Sequence, residues 1–311
     1  MIDLLDTTGF LCSEEKTSYG KKQTITPYFY DAEKKIVLYN GDALNLLKRI
    51  PDKYIDLIFA DPPYFGNQSG LLIKRNDGHA ETFDTQKAQW AYSKSLNYQF
   101  EFHYTWLKEA QRILKEGSTI WVTGTYHSIG VINVVLHDLG FKLLNDIILH
   151  KRNAPPNFKG SCFRAVTETM LWAKKNPNGK TKFNYKIMKE LNGGVQMKNI
   201  WEYWAEKNPF RHPATKQKIV LEYVLLSKDL NQIKKFFAFF ISQNYSFTII
   251  IRTSLTRTNI FFIICIAHED YMNFFLFKHV IMKGVSSGGS WYMCKHIKRF
   301  TVRQYFYVYD I

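Results

Sequence analysis

Cysteine is scarce in this chain, and the scarcity excludes two classes at once. The four present, Cys12, Cys162, Cys265 and Cys294, stand far apart with no Cys-x-x-Cys pair. Such spacing makes neither a zinc site nor a disulfide framework, and it fits a reducing cytoplasm. Long apolar runs are missing too. A membrane-spanning helix needs about 18 consecutive apolar residues or more. The nearest approach, Phe247 to Ala267, is broken by Arg252, Arg257 and several threonines. Residues Met1 to Phe10 carry two aspartates and no basic stretch, so they do not read as a secretory signal. No internal repeat is found. Acidic residues are in deficit: 27 Asp and Glu stand against 42 Lys and Arg, a net charge of +15. That balance favours a polyanionic partner, most simply nucleic acid, with a solvated basic surface as the plainer alternative.

What is present is an α/β rhythm. The 311 residues suffice for one large α/β domain, or one domain and an appendage. Residues 1 to about 34 are polar and weakly patterned and are expected to form an extension or loose arm. From Lys35 the pattern predicts a strand over Lys35–Tyr39, a turn at Asn40-Gly41-Asp42, and a helix over Ala43–Ile50 capped by Asp42. Leu44, Leu47 and Ile50 give that helix its apolar face. Ile55–Ala60 reads as the next strand. Phe65 to Asn97 is long, polar and glycine-containing, and reads as a functional or mobile loop, with Lys74 and Arg75 as a candidate DNA contact. A helix over Phe102–Lys115, a strand over Ser118–Gly124, a helix over His127–Leu139 and strands over Lys142–His150 and Thr167–Ala173 follow. Such alternation predicts crossover units and a mostly parallel sheet. After an irregular basic stretch, a helix is expected from past Pro213 to about Ser227.

The chemistry concentrates at Asp61-Pro62-Pro63-Tyr64. These residues follow the apolar run Ile55–Ala60, and ligands of open α/β sheets bind just beyond the carboxyl ends of strands. A carboxylate there can accept a hydrogen bond from an amine. Proline has a locked φ and no N–H, so Pro62 and Pro63 fix the chain and leave nearby carbonyls as acceptors. Tyr64 offers a flat face. The set suits a planar base carrying an amino group; a strand-end turn with prolines and a core aromatic is the purely structural alternative.

The tetrapeptide resembles the signature of the DNA amino-methyltransferases, and the similarity runs over about residues 35 to 228. Ile120–Gly124 matches that family's next core strand, and Asn145–Ile148 with Lys151–Phe158 its following strand and loop. Thr167–Ala173 and His212-Pro213-Ala214-Thr215-Lys216 match the later strand and the cofactor-side helix start. This order resembles the permuted β arrangement, known mostly from bacterial restriction-modification systems. The resemblance implies a Rossmann-like sheet with helices on both faces, S-adenosylmethionine as methyl donor and double-stranded DNA as substrate. It also implies a cytoplasmic location, a cognate restriction endonuclease as partner, no membrane, and room for a homodimer. Asp61, Pro62, Pro63 and Tyr64 would be catalytic, and Asp42, Asp61, Thr215 and Lys216 would contact the donor. Asp at the first position goes with adenine, whereas cytosine-N4 enzymes usually carry Ser. Residues 174–211, basic and bearing Trp201, Tyr203 and Trp204, fall where the family's target-recognition region lies. Asn153–Phe158 is a candidate pocket wall.

One family feature is lacking. After the helix near Val224 a strand should lead into Asp-Pro-Phe-x-Gly-x-Gly, where glycine lets the backbone approach the donor. Val285–Ser290 does not reproduce it. From about Asp229 the chain turns rich in Phe and Ile, with no clean periodicity. A shifted reading frame leaves such a mark, and reading the gene's other frames near codon 229 tests it. Residues 1–34, 35–228 and 229–311 are thus expected as an extension, a methyltransferase domain and a divergent tail. The tail leaves one central strand unaccounted for. A DNA-binding remnant that cannot bind the donor is the rival expectation.

Overall fold

The computed structural model describes residues 11–16, 22–25, 29–31, 36–40, 43–66, 71–74, 80–83, 94–157, 160–181, 183–204, 218–228, 235–241, 246–252, 260–268, 271–279, 295–303 and 305–309. In chain order, strands β1 (Leu11–Lys16), β2 (Lys22–Ile25), β3 (Phe29–Asp31) and β4 (Ile36–Asn40) precede helix α1 (Ala43–Arg49) and strand β5 (Ile55–Asp61). Then come β6 (Leu71–Lys74), β7 (Ala80–Phe83), α2 (Leu96–Ile113), β8 (Leu114–Gly124), α3 (Ile129–Asp138), β9 (Lys142–Lys151) and β10 (Thr167–Lys174). The remainder is α4 (Tyr185–Leu191), β11 (Ile200–Tyr203), α5 (Lys218–Leu226), and β12 (Lys235–Ile241) to β17, through β13 (Ser246–Arg252), β14 (Ile260–His268), β15 (Tyr271–His279), β16 (Lys295–Arg303) and β17 (Tyr305–Tyr309). Among the described residues no helix is long and apolar enough to cross a membrane.

The chain divides into two units. The first comprises Met1–His150, Val166–Thr181 and Lys235–Arg252. Its sheet runs β9-β10-β8-β5-β12-β13-β4-β3. β5 lies parallel to β8 and to β12. The other joints, β10 with β8 and β9, β12 with β13, β13 with β4, and β3 with β4, are antiparallel. The sheet is therefore mixed, which corrects the expectation of a mostly parallel one. The physical reason is connection length. The β5-to-β8 connection holds α2 and so can cross over, whereas four-residue returns such as 32–35 and 242–245 permit only hairpins. Within residues 1–34, expected as an extension or loose arm, β1 pairs with β2 and β3 extends the main sheet. Within the expected loop Phe65–Asn97, β6 and β7 pair as a hairpin.

β5 sits in the middle because it is apolar but for Asp56 and Asp61, and Ile55 to Ala60 are buried, Asp56 being paired with Lys115 at 2.7 Å. Helices α1, α2 and α3 cover one face. Leu46, Leu47, Trp106, Leu107, Val135 and Leu136 pack there with Ile58, Ala60, Ile120, Val122 and Leu171. On the other face Leu57, Phe59, Trp121 and Met170 are also buried. Trp121 and Trp172, directly opposite in register, stack with centroids 4.8 Å apart.

α2 begins at Leu96, earlier than the pattern predicts, because the Ser95 side chain accepts from the Tyr98 N–H at 3.2 Å and caps it. Near its other end, Arg112 closes α1. Its guanidinium donates to the carbonyls of Leu47 (2.9 Å) and Ile50 (2.8 Å), and it pairs with Asp52 (2.6 Å) and Glu109 (2.9 Å). Orphan carbonyls at a helix end are thereby satisfied from a neighbouring helix.

The second unit comprises Lys151–Ala165, Lys182–Lys234 and Thr253–Ile311. It contains α4, β11, α5 and the antiparallel sheet β14-β15-β16-β17. Asn184 caps α4. Trp201 sets its edge against Tyr223 at 5.2 Å, and Arg152 pairs with Glu202.

Candidate active site

Three strand ends converge at one edge of the first unit's sheet. β5 finishes at Asp61. Its parallel neighbour β8 is in register Ala60↔Val122, so the next residues along, Asp61 and Thr123, stand side by side. β10 runs the other way against β8, with Met170 opposite Thr123 and Thr169 opposite Gly124. Its first residues, including Glu168, therefore arrive at the same edge.

The side chains meet accordingly. Thr123, wholly buried, donates from Oγ1 to Asp61 Oδ1 at 2.6 Å, with the Ala60 carbonyl farther off at 3.3 Å. The Tyr64 hydroxyl donates to the same Asp61 oxygen at 2.7 Å and lies 3.4 Å from Glu168 Oε2. Pro62 and Pro63 are buried and carry the chain round from Asp61 to Tyr64, both of which keep partial exposure.

Phe65 holds the turn. Its φ is +52°, a left-handed backbone that a bulky residue adopts at a cost. Packing compensates, for its buried ring sets edges against Tyr98, Phe102 and His103 at centroid distances of 6.0, 5.4 and 5.9 Å. A Cβ at Gly66, which follows, would run into the exposed His127 ring, which would have to move aside. Burial lowers the His103 pKa to about 3, so the ring is neutral. Trp106 donates from Nε1 to its Nδ1 at 3.1 Å. The ring proton is therefore on Nε2, which is buried and has no hydrogen-bond partner among the described residues.

Asp61, Pro62, Pro63 and Tyr64 are thus brought together at the strand end. Asp42, Thr215 and Lys216, the other expected donor contacts, lie outside the described residues, as do His212 and Phe158. Thr123, Glu168 and Phe65 were not foreseen as site residues. Thr123 could have been found by placing the two predicted strands in parallel register. Glu168 could not, since it is 104 residues from Tyr64 in sequence. In the basic segment, Lys174 donates to the Gly179 carbonyl and Lys175 to that of Leu114. These two lysines tie the fold together and are not offered to phosphate. Trp204 is 66% exposed and open to a partner.

The donor side differs from the family's pattern. The place beside β5 is filled by β12, with Phe240 in register with Asp61. Strand β12 returns at once as β13, Ile241 facing Ser246 in the pairing. The four residues between them, Ser242-Gln243-Asn244-Tyr245, contain no glycine. A hairpin this short cannot be the glycine-rich crossover that lets backbone approach a nucleoside donor. At this place the described residues offer no glycine loop to S-adenosylmethionine.

The chain is similar to known DNA methylases. The DNA methylase family, of N6 and N4 enzymes, matches residues 55–233. The type II methyltransferase M2.MboI of Moraxella bovis is 36% identical over 207 residues, which cover 65% of this chain and 74% of that protein. M2.DpnII of Streptococcus pneumoniae is 35% identical over 218 residues, covering 67% and 78%. Among solved structures, the cytosine-N4-specific PvuII DNA methyltransferase superimposes with a TM-score of 0.45 at 16% identity, covering 61% of this chain and 69% of its own.

Proposed function

The chain belongs to the DNA methylase family, and from that premise we propose that it acts on the N6 amine of an adenine extruded from double-stranded DNA. One observation carries the reading. A carboxylate at a strand end, Asp61, already accepts two hydroxyl donors on one oxygen and sits beside the Pro62–Pro63 turn and an aromatic ring. An exocyclic amine offers donors of the same kind.

The amine of adenine is a weak nucleophile because its lone pair is delocalised into the ring. Acceptors at Asp61 and the Pro62 carbonyl take its two N–H groups and favour the pyramidal nitrogen from which attack occurs. This is orientation and electrostatic stabilisation, with no covalent intermediate. The target atom is inaccessible inside a duplex, so the base must leave the stack. Tyr64 then lies against its face, a contact of about 1–3 kcal/mol in other base–aromatic pairs. The family's donor, S-adenosylmethionine, supplies the methyl group.

The type II methyltransferase relatives support a bacterial restriction-modification setting, and the proposal extends to a cognate endonuclease and a homodimer. Residues Lys182 to Arg211, with Trp204, are the proposed reader of the DNA sequence. The test is exposure of DNA to the purified chain, digestion with a panel of restriction enzymes, and mass spectrometry of the nucleosides. Protection together with N6-methyladenine is expected; N4-methylcytosine in its place overturns the choice of base. The β12–β13 hairpin favours a second reading, in which the chain binds DNA but transfer is disabled. Sequence-selective DNA binding without methylated product identifies it.

A further inference from the structure

We propose that Glu168 is a positioning residue of the amine pocket, receiving the Tyr64 hydroxyl when the exocyclic amine of the base takes that hydroxyl's place on Asp61. The inference rests on Asp61 being the amine acceptor. Each carboxylate oxygen has two lone-pair directions. Asp61 Oδ1 fills both, with Thr123 at 2.6 Å and Tyr64 at 2.7 Å. An amine that reaches this oxygen must displace one of them.

The two hydroxyls are not equally free to leave. Thr123 is wholly buried within β8 between two paired strands. Tyr64 is only partly buried and stands on a turn beyond the sheet. Its alternative acceptor is already at hand, for Glu168 Oε2 is 3.4 Å away. An ordinary O–H···O⁻ bond of about 2.7 Å needs a shift of less than about 1 Å. Glu168 offers the displaced hydroxyl a charged acceptor beside the base, and a hydrogen bond to a charged group is stronger than one between neutral groups. Glu168 thus lets Tyr64 turn from blocking the carboxylate to flanking the base.

The test measures binding of 2′-deoxyadenosine and of purine 2′-deoxyriboside, which lacks the amine, by NMR titration of the full chain. Glu168→Ala should weaken deoxyadenosine about tenfold and leave the purine nucleoside unchanged. Glu168→Gln keeps an acceptor oxygen and should stay within about twofold of the parent. In a Tyr64→Phe background there is no hydroxyl to receive, so Glu168→Ala should have no effect. A loss that persists in Tyr64→Phe, or that is equal for both nucleosides, overturns the exchange. If the unaltered chain binds both nucleosides alike, or neither, the amine-binding role of Asp61 fails and takes the proposal with it. That failure is read before any Glu168 variant is made, so the two are told apart.

Discussion

At Asp61 a single oxygen collects two hydroxyl donors, and the consequences of changing it are specific. Asp61→Ala removes the amine acceptor while leaving the basic surface intact. Methyl transfer, or amine-dependent nucleoside binding if transfer is absent, should fall by about 100-fold or more. Binding of non-target DNA in a gel-shift assay should be preserved. Retention of transfer near the parent rate shows that Asp61 does not hold the amine. Tyr64→Phe should be mild because the stacking face survives, and Tyr64→Ala severe.

His103 gives a second prediction at this scale. Its folded pKa, lowered to about 3 by burial, lies below the ordinary value of about 6.5. Between these values the unfolded chain binds a proton that the folded chain does not. Stability contributed by the neutral ring is therefore complete above about pH 6.5 and is lost as pH falls toward 3. The slope is up to about 1.4 kcal/mol per pH unit. Urea melts at pH 7 and pH 5 should show this loss in the parent, and His103→Leu should flatten it. An equal pH dependence in both proteins assigns the loss to other groups.

At the scale of elements, the strand–turn around Asp61 was legible because everything that makes it is local. A continuous apolar run sets β5, and proline stereochemistry sets the turn. The start of α2 was not legible, since Leu96, Tyr98 and Phe100 alternate with polar residues and only Gln99 among the first five is buried. The cap at Ser95 and the packing of Phe65 on Tyr98 and Phe102 decide it. Arg112 illustrates the same limit: the sequence shows a helix-borne cation, and only packing shows that it caps α1. Arg112→Ala should destabilise the chain by about 1–3 kcal/mol through those unpaired carbonyls and the lost ion pairs. Arg112→Lys should recover only part of it, because one ammonium cannot span Leu47, Ile50 and Glu109 as a planar fork does. Chemical denaturation checks both. A loss below about 0.5 kcal/mol in Arg112→Ala means that the carbonyls are satisfied without it.

For the whole molecule the decisive element is the β12–β13 hairpin. The family's central strand was expected to be lost, with its apolar neighbours uncovered unless the tail substitutes for it. β12 pairs with β5 along Phe236 to Phe240, and Leu57, Ile58 and Phe59 are fully buried. The sheet is thereby made continuous. Titration calorimetry with S-adenosylmethionine should show micromolar binding, with the donor held by residues other than a glycine loop beside β5; no saturable binding below about 1 mM, a ligand contributing less than about 4 kcal/mol, identifies the DNA-binding remnant instead.

The sequence by itself determined the α/β alternation, the basic charge balance and the strand-end turn at Asp61 to Tyr64, because each is set by composition or by residues within one or two turns of chain. It also showed that the glycine loop is lacking. Tertiary structure alone decided that Thr123 and Glu168 share that corner, that the sheet is mixed, and that the tail supplies its central strand. Those depend on which strands pair and in which direction, and pairing is fixed by burial and backbone hydrogen bonding between segments as far apart as Ile58 and Phe237.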